Sequence, residues 1–116
     1  LLLGTKYDPL SPNKEYILFF EDINETPDRI SAYFRQIYLH KNINKCRGII
    51  LGNFFQCRSD SYQGSIEELA LGCFGNLNIP IIKIPEIGHA VENMIMPIGQ
   101  TVEISSNVGE IKLEAI

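Results

Sequence analysis

Lys14-Glu-Tyr-Ile-Leu-Phe-Phe-Glu-Asp-Ile-Asn-Glu-Thr-Pro-Asp-Arg-Ile30 holds the transition that decides the fold. Its first part, Glu15 to Phe20, is a short apolar run of the kind that forms a strand covered on both faces. The run stops at Glu21-Asp22, where charge breaks the apolar pattern. Thr26 then reads as a helix cap, with Pro27 at the first helical position and Asp28 near the positive end of the dipole. Ile30, Tyr33, Phe34, Ile37 and Tyr38 follow at the spacing of one helical face. The order is strand, acidic turn, amphipathic helix.

The same alternation continues downstream. Arg47-Gly-Ile-Ile-Leu-Gly52 is a second apolar strand bounded by glycines, and Asn53 to Gly64 reads as a polar loop. Ser65-Ile-Glu-Glu68 has the form of a capping box, followed by Ile66, Leu69, Ala70, Cys73, Phe74 and Leu77 on one helical face. Ile79-Pro-Ile-Ile-Lys-Ile84 is a third strand, with Pro80 suited to its first turn or to an edge. Pro85 to Met96 reads as a loop. Thr101–Ser105 and Glu110–Glu114 alternate as two further strands, with Val102, Ile104, Ile111 and Leu113 on one face. The turn between them is Ser106-Asn-Val-Gly109. Before the first strand, Leu1 to Lys14 is an irregular lead-in punctuated by Gly4, Asp8-Pro9 and Ser11-Pro12-Asn13. Strands alternating with helices predict an α/β fold with parallel pairing, made a mixed sheet by the terminal hairpin.

Composition bounds the function. At 116 residues the chain suits one domain, residues 1–116, with enough burial for a core without staples. A net charge of −4 leaves no basic stripe for nucleic acid. No apolar run approaches the roughly 20 residues needed to cross a bilayer. Leu1 in place of Met suggests a chain cut from a longer one. Cys46, Cys57 and Cys73 cannot pair completely and lack metal-site spacing, so free thiols are expected and no metal.

Chemistry has few places to sit. The acids Glu21, Asp22 and Glu25 lie just past a buried strand, where open α/β folds place their ligand crevice. From spacing alone, a solvated turn feeding a helix N-terminus explains them better, since acids before helices are common. His89, in Gly88-His89-Ala90, is a candidate proton shuttle because imidazole titrates nearest neutrality, although a lone loop histidine is more often plain surface. His40 ends the first helix, where contact with the helix dipole accounts for it. Nucleophile signatures are absent: there is no Gly-x-Ser-x-Gly elbow, and Ser65 is explained as a cap. Phosphate-cradling glycine motifs are absent too.

Read together, three segments resemble the LD-carboxypeptidases. Lys14–Ile30 is similar to that family's hydrophobic strand followed by Glu-Asp, Asn-Glu and Arg-Ile, and Gly48-Ile-Ile-Leu-Gly52 to its next strand. Ile79-Pro-Ile-Ile, then Gly88-His89, Asn93 and Met96-Pro-Ile-Gly99, resembles its Ile-Pro-Val, Gly-His, Asn, Leu-Pro-Leu-Gly run. Leu2-Leu-Gly-Thr-Lys-Tyr7 is similar to the start of its C-terminal domain. The chain departs from the family at Pro85-Glu86-Ile87, where many members are more apolar or aromatic, and at Met94 and Met96, where leucines are frequent.

The resemblance implies the C-terminal domain of a two-domain cytoplasmic serine peptidase, with a swivelling β/β/α fold. It implies Glu21 and His89 as the acid and base of a Ser-Glu-His triad. The serine belongs to an N-terminal partner domain. The implied substrate is murein tetrapeptide, cleaved at its L,D bond to release D-alanine in peptidoglycan recycling. No cofactor, nucleic acid or membrane is implied, and a homodimer is common in the family. Asp22 and Glu25 match motif positions without a clear role. Two alternatives stay open: a microcin-immunity-type amidase acting on a peptide-nucleotide, and a non-catalytic binding module. The peptidase reading requires Glu21 and His89 to meet within about 3 Å.

Overall fold

The computed structural model describes residues 2–10, 12–89, 93–107 and 110–116. Its elements are β1 (Tyr16–Ile23), α1 (Pro27–Tyr38), β2 (Cys46–Phe55), α2 (Ile66–Phe74), β3 (Ile81–Gly88), β4 (Val102–Asn107) and β5 (Glu110–Ala115). Single 3-10 turns occupy Ile43–Lys45 and Gly75–Leu77. The β-α-β-α-β order is as the periodicity predicts. Of the expected hairpin turn, Val108 and Gly109 lie outside the described residues, whereas Ser106 and Asn107 belong to β4.

β1, β2 and β3 form a parallel sheet in that order. Two successive crossovers in one direction, each with the usual right-handed sense, place both helices on one face. Ile30 and Phe34 of α1 and Ile66, Ala70 and Phe74 of α2 accordingly share a core with Ile49 and Leu51 of β2. Its centre is aromatic: the Phe20 ring lies 5.2 Å from Phe34 and 5.9 Å from Phe74, and Phe34 lies 5.5 Å from Phe74. Such tilted and offset pairs add to the area they bury. α2 begins with a complete capping box, in which Ser65 Oγ accepts from the Glu68 N–H at 3.1 Å and Glu68 Oε2 from the Ser65 N–H at 2.9 Å. Thr26 occupies the N-cap position of α1 with extended backbone, but its side chain makes no capping bond. Glu25 Oε1 instead accepts from the Thr26 N–H at 2.9 Å.

Side chains alternate across a strand, so Gly48, Ile50 and Gly52 face away from the helices. A Cβ on Gly48 would stand 3.7 Å from Cδ1 of Ile104, so β4 lies over that face and the layers run β/β/α. The α/β class is as expected. The hairpin, however, does not make the parallel sheet mixed: β4 and β5 pair with each other as a separate antiparallel sheet. Two features favour stacking over edge addition. Pro85 on the outer edge of β3 has no N–H for a further strand, and the Val102–Ile104 apolar face can only be buried by lying flat.

All three parallel strands run further than their apolar runs suggest. Glu21, Asp22 and Ile23 close β1, Asn53 to Phe55 close β2, and Pro85 to Gly88 close β3. Polar residues are tolerated at these ends because they emerge from the helix-covered layer. Pro85 is tolerated because β3 is an edge strand.

The lead-in is pinned by a buried polar knot. His40, with a side chain only 5% exposed, accepts the Asn42 N–H at Nδ1 (3.1 Å) and meets Asp8 Oδ2 through Nε2 at 2.6 Å. Asn42 Nδ2 donates to the Leu10 carbonyl at 2.6 Å, and the Tyr16 hydroxyl to the Asn42 carbonyl at 2.8 Å. His40 therefore ties two distant segments together, and its ring is not directed to the last helical carbonyls as its position suggested. The reason is a partner 32 positions away, invisible to local pattern.

Replacing Phe74, which is fully buried, with alanine is expected to cost about 3–5 kcal/mol, read from the denaturant midpoint. A second expectation concerns acid. The backbone N–H of Gly4, then that of Leu10, and after them the His40 ring hold the Asp8 carboxyl at about 2 against an ordinary 3.8. A carboxyl depressed on folding contributes stability above its unfolded value, and that contribution is lost as pH falls through the folded one. The wild-type unfolding midpoint should therefore drop between about pH 4 and pH 2, and Asp8→Asn should lack that component of the drop.

Candidate active site

Glu21 and His89 meet at the carboxyl ends of β1 and β3. Glu21 Oε2 lies 2.6 Å from His89 Nδ1, across 68 positions of sequence. Strands β1 and β3 are separated by β2, so their backbones should stand roughly 10 Å apart, twice the usual spacing. Three local features close that gap.

The first is irregular register. From Phe20↔Leu51 to Asp22↔Phe54, β2 advances one residue more than β1, leaving Glu21 inside the irregularity. From Leu51↔Lys83 to Asn53↔Gly88, β3 advances five residues while β2 advances two. Bulges of this kind bend a strand and re-aim its side chains. The second feature is Gly52, between the two shifts. A Cβ there would stand 2.9 Å from Phe19 Cε2 and would crowd the Ile87 carbonyl, so only glycine lets the flanking strands lean together. The third is Gly88, whose φ of +114° disfavours any L side chain. A Cβ at Gly88 would stand 2.9 Å from Glu21 Oε2, in the path of the carboxylate.

The couple faces solvent: the His89 side chain is 51% exposed and that of Glu21 26%. With the carboxylate accepting at Nδ1, the ring proton sits there and Nε2 is left as an acceptor. Among the described residues Nε2 has no partner, and no hydroxyl or thiol bonds the ring. Beside the couple lies an open hollow of about 390 Å3 lined by Phe19, Glu21, Ile87, Gly88 and the 93–96 segment. Met94 and Ile95 stand out from it, both largely exposed.

The other acids go elsewhere. Asp22 Oδ1 accepts from the Ile23 N–H at 2.8 Å. Glu25 turns to α1, with Oε2 3.4 Å from Arg29 Nε. Of the acidic cluster, Glu21 alone reaches an imidazole. Two asparagines that pattern reading did not assign now have contacts: Asn53 Nδ2 donates to the His89 carbonyl at 3.4 Å, and Asn93 Oδ1 accepts from the Gly88 N–H at 3.1 Å. Asn53 looked like loop, and nothing in its neighbours separates it from one. Asn93 carried one signal, its place between Gly-His and the Pro-Ile-Gly run.

Cys46, Cys57 and Cys73 are free, and burial pushes all three thiols up. A nucleophilic cysteine needs the opposite shift. Among the described residues no group of three His, Cys, Asp or Glu could hold a metal ion, and no helix is long and apolar enough to cross a membrane.

Comparison with known proteins is consistent across sequence and structure. Residues 1–104 match the family described as the LD-carboxypeptidase C-terminal domain. A Synechocystis sp. protein carrying a carboxypeptidase name is 33% identical over 109 residues, spanning 92% of this chain and 36% of that protein. The muramoyltetrapeptide carboxypeptidase of Oxalobacter formigenes superposes with a TM-score of 0.80 at 26% identity, over 97% of this chain and 39% of that one. The microcin C7 self-immunity protein MccF shares the fold, with a TM-score of 0.63 at 20% identity over 73% of this chain and 25% of its own. The chain spans about a third of the length of the curated relatives it matches. It belongs to the LD-carboxypeptidase family and corresponds to that family's C-terminal domain.

Proposed function

We propose that this chain is the acid–base lobe of a serine-type LD-carboxypeptidase, supplying Glu21 and His89 to a nucleophilic serine on an N-terminal domain. The observation that carries the reading is the 2.6 Å contact between Glu21 Oε2 and His89 Nδ1, in a histidine whose side chain is half exposed and whose other ring nitrogen has no partner among the described residues. His89 Nε2 takes the serine proton as the hydroxyl attacks the scissile carbonyl. Glu21 holds the tautomer and stabilises the imidazolium that forms. The imidazolium then protonates the leaving amine, and water hydrolyses the acyl-enzyme by the same route in reverse. The oxyanion donors belong to the N-terminal domain.

Murein tetrapeptide, cleaved to release D-alanine in the cytoplasm, is the substrate we favour. The higher TM-score and identity to the muramoyltetrapeptide carboxypeptidase support it over the peptide-nucleotide substrate of a microcin-type amidase. The lobe by itself should release no D-alanine, since among the described residues no hydroxyl or thiol is paired with the imidazole.

Two expectations test the reading in the complete protein. His89→Ala and Glu21→Gln should each lower kcat/KM for murein tetrapeptide by roughly 10³- to 10⁴-fold, measured as D-alanine release. Undiminished turnover in either variant would refute the triad, and turnover of an aminoacyl-nucleotide alone would move the protein to the amidase branch. Gly88→Ala should place a methyl group against the Glu21 carboxylate, cost about 1–3 kcal/mol in stability and abolish most activity. Wild-type D-alanine release by that variant would mean the contact with Glu21 is dispensable.

A further inference from the structure

We propose that Asn93 is a positioning residue for His89, acting through the Gly88 peptide. The inference rests on the triad reading above. His89 is the first residue past the end of β3, attached to the chain through a glycine whose φ of +114° few other residues would hold in place. Glycine is conformationally permissive, so the ring's direction has to be fixed from outside. Asn93 Oδ1 does this by accepting the Gly88 N–H at 3.1 Å. One residue on, the Met94 N–H donates to the Glu86 carbonyl at 2.8 Å, so the returning chain is tied to β3 at two points straddling Ile87. On the other side, Asn53 Nδ2 reaches the His89 carbonyl. Asparagine side chains from two different segments thus hold the Gly88 N–H and the His89 carbonyl, bracketing the Gly88–His89 pair.

Asn93 also lines the same hollow as Glu21. What the position needs is an oxygen acceptor, which a carboxamide or a carboxylate of the same length supplies and an alkyl side chain does not.

The test uses the complete protein with three substitutions. Asn93→Ala and the near-isosteric Asn93→Leu delete the acceptor, and Asn93→Asp keeps it. With the imidazole released, kcat on murein tetrapeptide should fall on the order of 10- to 100-fold in the first two, with KM changed by less than about threefold. Asn93→Asp should recover most of kcat. Amide exchange at Gly88 should be slow in the wild type and in Asn93→Asp, and fast in Asn93→Leu. The inference is overturned by wild-type kcat in the acceptor-less variants, by an effect confined to KM, or by an aspartate variant as impaired as leucine. If the alanine variant fails to fold, the leucine and aspartate pair still decides. Glu21→Gln separates the two levels. If it collapses kcat while Asn93→Leu does not, only the role of Asn93 falls; if it leaves kcat intact, the triad reading falls with it.

Discussion

The whole arrangement depends on a close approach that a regular sheet forbids. Neighbours of a central strand do not normally touch, because that strand's side chains stand between them. Here β2 carries no side chain at Gly52 and changes register on both edges at that point. Phe19 and the Ile87 carbonyl fill the space a Cβ would occupy. The two outer strands can then lean together at their carboxyl ends, the end at which open α/β sheets present their ligand crevice. Gly88 completes the approach by leaving the path of the Glu21 carboxylate clear. The two glycines act as one device: the first brings the backbones together and the second lets the side chains meet.

Among the described residues two acid–imidazole contacts have equal length, and their surroundings differ. Asp8–His40 and Glu21–His89 are both 2.6 Å. At His40 each ring nitrogen is engaged, Nδ1 by the Asn42 N–H and Nε2 by Asp8, and the ring is nearly sealed. No nitrogen is left to exchange a proton with a ligand. At His89 the acid takes Nδ1 alone and half the side chain is in solvent. An acid–histidine distance by itself therefore says little about function. What matters is whether the second nitrogen is free and where it points.

Legibility followed the range of the interactions. Element order, the capping box at Ser65 and the apolar helix faces are set by neighbours a few positions apart, and periodicity reads them directly. Strand ends were read short because Glu21-Asp22, Asn53 and Pro85-Glu86 break the apolar runs, although strands that leave the covered layer tolerate such residues. The hairpin's separate sheet was hidden because alternation specifies which side of a ribbon is apolar and not what that side rests on. His40 was misread because Asp8 is far away in sequence. Only likeness to a family singles out Glu21 and His89; spacing alone favours a solvated turn for the acid and plain surface for the histidine.

Stability and the candidate site occupy opposite faces of the sheet. The aromatic cluster, the capping box and the apolar residues of both helices lie on one side of β2, whereas Phe19, Glu21 and Ile87 border the hollow on the other. Even a fully charged exposed pair contributes only about 0–1 kcal/mol, so the Glu21–His89 contact adds little to holding the fold together. Substitution at either member should therefore cost the core little. The glycines do not share that freedom, because Gly52 serves packing and geometry at once: it lets Phe19 lie against β2 and sets the tilt that carries β3 toward Glu21. A side chain at Gly52 would disturb packing and geometry together, whereas one at Glu21 or His89 would disturb chemistry alone.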